Sequence, residues 1–485
     1  MRKIEIKTGP KLEDYQAYSS LRGTVDSFLE TVPQYVEKLK GKTIWMINST
    51  ATGGGVAEMV PSQMRIMRAM GVSIEWMVIE TDDVEFFNIT KRIHNAIHGS
   101  GDGKFSESDR DPYERVNRHN LQQALDVIQD GDVVVIHDPQ PMPLAGMLKK
   151  HRDVRCVWRC HIGLDESNEV TRAVWSFLQP YFGDYDHFVF SLQEYVLPEI
   201  SGRTALIPPA IDPLSHKNRM LQMHKCLSIL VQAGLIESRE PRLYNAYKHQ
   251  VRRVMPDGSF GQVNHPDDFQ LIYRPIITEI SRWDRLKGFK QLMEAFVYMK
   301  ETNARRTDKD ALDYKRIHMS RLVLGGPDPL FVTDDPEGAE VLKELIEYYQ
   351  SLDGEIQKDI ALMLLPLDNP KENALIVNAL QRYSVIVVQN SIQEGFGLTA
   401  TEAMWKRTPV LVSGAAGLKF QVNHGETGSI NPDPTDIPRL AAAMEYMLSH
   451  QKELDKWGFN AQTRVVERFT LFSQIESWLR LLSAV

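Results

Sequence analysis

The chain has 485 residues, of which 42% are hydrophobic and 25% are charged, and its net charge is −8. The length predicts two or three domains, and the composition is that of an ordinary globular protein. The negative charge argues against general nucleic-acid binding, because a phosphate backbone needs a basic face. No signal-peptide pattern occurs at residues 1–5 and no apolar run is long enough to span a membrane. A cytoplasmic protein without membrane partners is therefore predicted.

The three cysteines form neither a zinc pattern nor a disulfide framework. Cys156 and Cys160 lie in a predicted buried strand and are interpreted as small hydrophobic residues. No Asp-x-Asp motif and no metal-ligand histidine pattern occurs, since Asp82-Asp83 and Asp334-Asp335 are merely adjacent pairs. We expect no metal cofactor, although stimulation by Mg²⁺ is left open.

The first half of the chain alternates predicted strands and helices. A helix at 25–39 precedes a strand at 43–47, a glycine turn at 53–55, a helix at 56–70 and a strand at 73–79. This βαβ unit requires a right-handed crossover on a parallel sheet. Further strands are predicted at 132–136, 155–158, 187–190 and 204–207.

The segment 214–268 has a different character, because it is rich in charged residues, His, Arg and Gln. Helical patches occur at 220–233 and 242–254, but no strand pattern does. We interpret the segment as a helical insertion near the interdomain linker, and its basic residues as a solvated face rather than a ligand site.

A second alternating series follows. Its predicted strands lie at 276–280, 321–324, 360–365, 385–388 and 409–412, and its helices include 337–349, 372–381, 438–448, 454–469 and 472–482. The fold class is therefore α/β, with two doubly wound Rossmann-like domains facing each other across a cleft. The predicted domains are 1–268 and 269–468. The last helix, in 469–485, is expected to cross back to the N-terminal domain.

The most informative stretch follows the strand near 385–388. It places Glu394 and Glu402 eight residues apart, separated by a glycine-rich turn, and a helix is predicted from Thr399 onward. Bare backbone N–H groups and the positive end of a helix can meet an anion in such a turn. A sugar nucleotide suits such a site, because its phosphates can bind the backbone amides and its hydroxyls can bind the two carboxylates. The alternative is structural, because Thr399-x-x-Glu402 is also a capping box.

Arg282 and Lys287 follow the first strand of the second series. The carboxyl ends of parallel strands meet at one edge, so both cations should reach the same crevice as Glu394. A guanidinium and an ammonium together suit a leaving diphosphate. Alternatively, they form surface ion pairs with Asp284 or Glu279.

The first domain offers weaker candidates. His161 and Asp138 each come just past a strand, and the alternatives are a structural histidine and a turn-starting aspartate before proline. The glycine turn, which includes Gly54 and Gly55, fails the dinucleotide fingerprint because Glu58 occupies the position of the third glycine. Its glycines still permit close backbone approach to a ligand.

With these residues assembled, the chain resembles the GT-B fold retaining glycosyltransferases of the sucrose-synthase-like family. The acidic pair with its Gly-Phe-Gly-Leu core and the cation pair carry this resemblance. A closer resemblance is to the trehalose synthases of the glycosyltransferring kind and to the trehalose phosphorylases. It rests on Asn48-Ser-Thr50, Gly53-Gly-Gly-Val-Ala-Glu58, Phe86-Phe-Asn-Ile-Thr-Lys91 with His94-Asn-Ala96, His137-Asp-Pro-Gln-Pro141, Trp158-Arg-Cys-His-Ile162, Pro208-Pro-Ala-Ile-Asp-Pro-Leu214, Asp334-Asp-Pro-Glu-Gly338 and Glu402-Ala-Met-Trp-Lys406.

The resemblance implies transfer of glucose from a nucleoside diphosphate to glucose with retention, which gives trehalose. It implies that Glu394 holds hydroxyls of the transferred sugar, Glu402 the ribose, and His161 the C6 hydroxyl, while Arg282 and Lys287 take the charge of the leaving phosphate. Catalytic roles are expected for Glu394, Arg282, Lys287 and His161. The expected donor-binding set is Gly54, Gly55, Arg282, Lys287, Glu394, Gly395, Phe396, Gly397, Leu398 and Glu402. The expected acceptor-binding set is Lys91, Asn95, Asp138 and Gln140.

Three other functions compete with this one. A trehalose phosphorylase would use the same two cations for inorganic phosphate, so the motifs do not decide between them. An NAD-dependent dehydrogenase lacks its third glycine, and a non-catalytic binding protein would not need the whole polar set. The expected partners are a nucleoside-diphosphate sugar and a small sugar acceptor, and a homodimer is left open.

Overall fold

A computed structural model describes residues 1–51, 54–237, 245–263, 271–329 and 336–485. These residues form two compact units. The first comprises Met1–Asp212 and Val466–Val485, and the second comprises Pro213–Val465. In the described parts of the chain, no helix has the length and apolar character needed to cross a membrane.

The first unit contains, in its described residues, a seven-stranded sheet in the order β1-β3-β2-β4-β5-β6-β7. Its strands are β1 Arg2–Lys3, β2 Ile44–Asn48, β3 Ile74–Val78, β4 Val133–His137, β5 Arg155–Arg159, β6 His187–Phe190 and β7 Thr204–Leu206. The short β1 is antiparallel to its neighbour β3, whereas β2 to β7 pair in parallel. Central strands such as β2 and β4 are buried along their whole length, which is why they appear in the sequence as continuous apolar runs. The predicted parallel sheet is confirmed.

Helices cover this sheet. They are α1 Leu12–Gln16, α2 Ser19–Thr31, α3 Pro33–Lys38, α4 Gly54–Ala69, α5 Val84–Ile97, α6 Arg110–Leu125, α7 Leu144–Lys149 and α8 Glu169–Leu178. The single helix predicted at 25–39 is wrong, because the chain breaks it at Val32. Pro33 lacks an N–H and starts α3 at the position where that donor is not needed.

The second unit contains a larger sheet, with eight described strands in the order β15-β14-β13-β10-β11-β12-β8-β9. Its strands are β8 Arg252–Val254, β9 Phe260–Gln262, β10 Ile276–Ile280, β11 Arg321–Pro327, β12 Ile360–Leu365, β13 Ile386–Gln389, β14 Val410–Ser413 and β15 Ser429–Asn431. The strands from β15 to β12 are parallel, and β10 lies between β11 and β13. The loops after β10 and β13 therefore leave the sheet at the same edge.

The helices of this unit pack on both faces of the sheet. They are α9 Met223–Gln232, α10 Phe289–Ala304, α11 Leu312–Met319, α12 Pro336–Ser351, α13 Gly354–Lys358, α14 Pro370–Tyr383, α15 Leu398–Trp405, α16 Ala416–Gln421, α17 Ile437–Ser449 and α18 Gln451–Arg468. Two buried apolar clusters, one containing Phe296 and Met444 and the other Leu230 and Ile376, form the cores on the two faces.

The segment 214–268 differs from its prediction. Strands β8 and β9 form an antiparallel hairpin that extends the sheet beyond β12, so the predicted absence of strands and the helix at 242–254 are wrong. A turn at Pro256-Asp-Gly258 explains the hairpin, because Gly258 has a φ of +81° and Asp257 accepts the backbone N–H of Ser259. The described part of the segment groups with the second unit from Pro213 onward. Residues 238–244 and 264–270 lie outside the described residues.

The last helix, α19 Leu471–Leu482, belongs to the first unit. The ring of Phe472 packs edge-on against Tyr15 and Phe28, with ring centroids 5.1 and 5.3 Å apart. Thr470 bridges to Ile211 next to this helix. The C-terminal residues thus complete the core that the N-terminal residues begin.

Candidate functional site

The glycine-rich turn after β13 adopts the predicted strand-turn-helix form. Gly397 is the residue before α15 and has a φ of +84°. A Cβ atom at this position would lie 2.5 Å from the Leu418 side chain. Only glycine avoids both the strained backbone and this collision, so the turn depends on it.

The buried side chain of Gln421 fixes the same turn through hydrogen bonds. Its side-chain amide donates to the carbonyls of Phe396, Gly397 and Gly417, the last two at 3.3 and 3.0 Å, and it accepts from Thr401 at 2.5 Å. This buried amide is fully used by backbone and α15 contacts. The turn is therefore a rigid part of the second unit.

Lys287 and Glu394 meet at the sheet edge, as predicted. The Lys287 ammonium lies 2.5 Å from Glu394 Oε2, and Ser391 Oγ donates to the same oxygen at 3.1 Å. The two side chains are 17% and 14% exposed, so the pair is open enough for a ligand to reach. The predicted alternative of an ion pair between Lys287 and Asp284 or Glu279 is not what the structure shows.

The loop after β10 is shaped to present Lys287. Asp284 accepts the backbone N–H of Leu286 and starts a turn that ends at Gly288, whose φ is +67°. A Cβ atom at Gly288 would lie 2.2 Å from the Asn390 carbonyl. Ile392 N–H also donates to the Leu286 carbonyl at 2.7 Å, so the two loops are tied together.

Arg282 lies in the same loop, two residues past β10, with an exposed side chain. Arg285, which is also exposed, pairs with Glu344 at 2.7 Å. The loop therefore carries one surface arginine committed to α12 as well as the two predicted cations.

Glu402 is buried in the first turns of α15. Its Oε1 lies 3.8 Å from the Lys217 ammonium. The capping-box interpretation is wrong, because the cap residue is Gly397 and Thr399 lies inside the helix. Lys217 belongs to the segment interpreted as a solvated face, so sequence reasoning missed this contact.

Lys406, one helical turn beyond Glu402, is buried with it. Its ammonium donates to Asn218 Oδ1 at 3.1 Å, to Gln381 Oε1 at 2.6 Å and to the Glu402 carbonyl at 3.1 Å. Burial lowers the pKa of Lys406 to about 7, against the opposing attraction of Glu402. The C-terminal end of α15 thus carries a buried polar network that is tied to the Glu402 backbone.

The first unit brings together Asp138 and His161. The His161 backbone N–H donates to Asp138 Oδ1 at 2.9 Å, and Asp138 adopts a φ of +61°, which is rare for a residue other than glycine. The ring of His161 stacks on that of His137, with Nε2 of the first 3.1 Å from Nδ1 of the second. The two loops after β4 and β5 therefore form one polar cluster.

Burial governs the charges of this cluster. It raises the pKa of Asp138 to about 6, lowers that of His137 to about 3, and lowers that of His161 well below its ordinary range. Both imidazoles are therefore uncharged near neutral pH.

Buried Arg159 donates to Ser191 at 3.2 Å, and its Nη1 has no hydrogen-bond partner among the described residues. Sequence reasoning missed Arg159, which lies one residue past the strand predicted at 155–158 and belongs to β5 in the structure.

The predicted acceptor residues fall in two places. Gln140 lies near Asp138 along the chain, and its Oε1 is buried without a partner in the described parts of the protein. Lys91 and Asn95 are exposed on α5. Asn95 lines a cavity of about 220 Å³ with Arg92, Ala96, Ser100, Gly101, Asp102, Gly103 and Phe105. None of the other three predicted acceptor residues lines that cavity.

Two predicted groups lie at or beyond the edge of the described residues. Gly54 and Gly55 form the start of α4, whereas Gly53 lies outside the described residues. Asp334 and Asp335 also lie outside them. Among the residues that are described, no group of three His, Cys, Asp or Glu side chains is placed to hold a metal ion.

Comparisons with known proteins agree with this architecture. Residues 46–197 match the family model for the trehalose synthase N-terminal domain, and residues 369–464 match that for glycosyl transferases group 1. The chain is 34% identical to the trehalose synthase of Pyrococcus horikoshii over 98% of its own length and 96% of that protein. It is 25% identical to a trehalose phosphorylase of Pleurotus pulmonarius over 99% of its own length and 62% of that protein.

A solved structure shares the fold. This structure is the UDP-forming α,α-trehalose-phosphate synthase of Burkholderia xenovorans in complex with glucose-6-phosphate. The TM-score is 0.65 at 15% identity, and the match covers 91% of this chain and 100% of the other. The two Rossmann-like units and these matches define a glycosyl-transferring enzyme of the GT-B fold. The chain belongs to the trehalose synthase family.

Proposed function

We propose that the protein transfers glucose from a nucleoside-diphosphate glucose to free glucose, with retention, and forms trehalose in a reversible reaction. The observation that carries this proposal is the 34% identity to a trehalose synthase over 98% of the chain. The UDP-forming activity named for the structural neighbour, and the sugar phosphate bound to it, support a nucleotide-linked donor and a sugar acceptor.

The second unit supplies the donor groups in this proposal. Lys287 and Arg282 neutralise the diphosphate, where cations that are already positioned act most strongly on developing charge. Glu394, which contacts Lys287, accepts hydrogen bonds from hydroxyls of the transferred sugar. Glu402 holds the ribose, and Gly395, Phe396, Gly397 and Leu398 form the turn against which the donor lies.

The first unit supplies polar groups, among which His161 is uncharged. Because burial keeps His161 neutral by lowering its pKa, its imidazole has one N–H donor and one acceptor nitrogen for the C6 hydroxyl of the sugar. Asp138 and Gln140, with Lys91 and Asn95, are proposed to hold the acceptor. Gly54 and Gly55 permit close approach of the α4 backbone to the donor.

The proposed reaction step combines retention with the lack of an obvious protein nucleophile in the sequence. The bond from C1 of glucose to the diphosphate oxygen breaks, and a bond forms from C1 to the acceptor oxygen on the same face. The departing diphosphate oxygen takes the proton of the acceptor hydroxyl. Lys287 and Arg282 stabilise the charge on that oxygen until it receives the proton.

Incubation with glucose and each of UDP-glucose, ADP-glucose and GDP-glucose tests the proposal. Trehalose and the matching nucleoside diphosphate should accumulate together, and a Glu394→Ala, Lys287→Ala double variant should produce neither. Nuclear magnetic resonance should show an α,α-1,1 linkage. If the wild type consumes no nucleotide sugar in the presence of glucose, the proposal is wrong.

A trehalose phosphorylase is the second candidate. It is favoured by the 25% identity to such an enzyme over 99% of this chain. Cleavage of trehalose should be compared with inorganic phosphate and with nucleoside diphosphates as co-substrates. Glucose 1-phosphate formed from phosphate alone would favour the phosphorylase.

The proposal includes two further expectations from the sequence. Activity is expected to persist in excess EDTA, with any effect of Mg²⁺ limited to stimulation. A homodimer is the assembly to test by sedimentation, because the proposed chemistry itself needs only one chain.

A further inference from the structure

A third carboxyl group lies behind the Lys287–Glu394 pair. Glu279 sits at the carboxyl end of β10, is completely buried, and is flanked on β11 by the apolar Leu324. The Gln389 side-chain amide donates to its Oε1 at 3.0 Å, and the Asn390 backbone N–H donates to the carboxyl as well. No role in the proposed reaction has been assigned to it.

Its second oxygen is unusual. Glu279 Oε2 is buried and has no hydrogen-bond partner among the described residues, and no ion pair of Glu279 occurs there either. Two charged groups of the described chain, Lys287 and Glu394, are near enough to influence its pKa. Lys287 is in contact with Glu394 at 2.5 Å, and no contact between Lys287 and Glu279 occurs among the described residues.

Electrostatics decides the state of this group. A buried carboxylate without a counter-ion is costly, whereas a protonated carboxyl carries no charge and costs less to bury. Burial, with help from the nearby charge of Glu394, raises the pKa of Glu279 well above its ordinary range, although Lys287 opposes the shift. Ionised Glu279 would add a negative charge beside the position where a diphosphate must arrive.

We propose that Glu279 is a positioning residue that stays uncharged behind the Lys287–Glu394 pair and so leaves the Lys287 ammonium available for the donor diphosphate. This inference rests on the proposed function. It explains why a carboxyl, hydrogen-bonded on one oxygen only, occupies the buried end of β10. Loss of its proton to solvent at alkaline pH should weaken diphosphate binding.

Calorimetric titration with a nucleoside diphosphate tests the inference. The probe is whichever of UDP, ADP and GDP the wild type binds most tightly, titrated from about pH 6 to about pH 10. The wild-type Kd should rise by about tenfold or more on the alkaline side, which is about 1.4 kcal/mol. Glu279→Gln keeps the shape and the acceptor for Gln389 but cannot ionise, so its Kd should rise by less than about twofold over the same range.

Two companion variants serve as controls for charge and for packing. Glu344→Gln removes an exposed carboxylate that pairs with Arg285, and it should follow the wild-type profile. Glu279→Leu leaves the Gln389 amide buried without an acceptor and should weaken diphosphate binding at neutral pH, whereas Glu279→Gln should restore it. Thermal unfolding of each variant shows whether it is folded.

The failures are distinguishable. If Glu279→Gln keeps the alkaline rise, or binds the diphosphate about tenfold more weakly than the wild type at neutral pH, the inference is wrong while the proposed function stands. If Glu279→Leu binds like the wild type, Glu279 does not position the pair. If the wild type binds no nucleoside diphosphate at all, the proposed function fails and the inference fails with it.

Discussion

The polar clusters of the two units differ in the burial and the charge of their side chains. In the second unit, Lys287 and Glu394 are partly exposed and form a charged pair at the edge of the sheet. In the first unit, His137 and His161 are buried, stacked and uncharged, because burial lowers the pKa of each, and they lie beside Asp138. A charged pair can exchange a partner for an anionic phosphate, whereas uncharged imidazoles can hydrogen-bond a sugar without attracting ions. The difference matches a donor whose diphosphate is charged and whose sugar is not.

Removal of Lys287 should have the largest effect on activity. In Lys287→Ala the developing charge on the leaving phosphate loses its ammonium, so kcat should fall by about 10²–10³-fold. Steady-state kinetics with the donor varied would measure this. Arg285→Ala removes a neighbouring cation that pairs with Glu344, and it should leave kcat within about twofold. Equal losses in both variants would contradict a specific role for Lys287.

A backbone change should affect stability next most strongly. Gly397→Ala forces a side chain into a φ of +84° and against Leu418, so the unfolding free energy should drop by about 1–3 kcal/mol. Urea unfolding of the second unit would show the shift.

Gly23 provides the matched control. It lies within α2, and a Cβ atom there meets nothing within 4 Å. Gly23→Ala should therefore stabilise the protein by about 0.5–1 kcal/mol. Destabilisation by both substitutions would mean that the conformation of Gly397 is not what makes it necessary.

The uncharged state of buried His137 should affect how the free energy of unfolding depends on pH. The pKa of His137 is about 3 in the folded protein against 6.5 ordinarily, so the unfolded chain binds more protons between these values. The free energy of unfolding should therefore fall as pH falls below about 6.5, by about 2 kcal/mol at about pH 5 from this residue. In His137→Gln the decline over that window should be shallower than in the wild type. Parallel declines would show that His137 titrates normally.

The smallest effect is expected at Lys217. Its ion pair with Glu402 spans 3.8 Å at a partly exposed position, and such pairs contribute about 0–1 kcal/mol. Lys217→Met should raise the donor KM by about two- to fivefold with little change in kcat. A large fall in kcat would mean that Lys217 takes part in the chemistry. The second unit would then have a catalytic cation in addition to the predicted Arg282 and Lys287.

The elements that sequence reasoning predicted correctly are those whose burial imposes a pattern. Strands such as β4 and β12 are buried on both faces, so their apolar runs stand out against the polar helices. The short strands β1, β9 and β15 were missed because two or three residues carry no periodic signal. The β8–β9 hairpin was missed because the segment is rich in charged residues and was interpreted as a helical insertion, although Pro256-Asp-Gly258 is typical of a turn.

The same division holds for the site. Lys287 and Glu394 were predicted to lie together because the carboxyl ends of parallel strands share an edge. The structure adds that their strands, β10 and β13, are neighbours in the sheet. The contacts of Glu402 with Lys217 and of Glu279 with Gln389 join residues that are distant along the chain. No local pattern encodes such pairs, since they depend on how separate segments pack.

The return of α19 to the first unit has a consequence for biosynthesis. Phe472 packs against Tyr15 and Phe28, so the N-terminal core cannot complete its packing until the C-terminal helix has been synthesised. On a ribosome the second unit, whose residues form one uninterrupted stretch, emerges whole before the first unit can finish its interior. A nascent chain arrested before residue 471 should therefore expose an unfinished N-terminal core to proteases and chaperones.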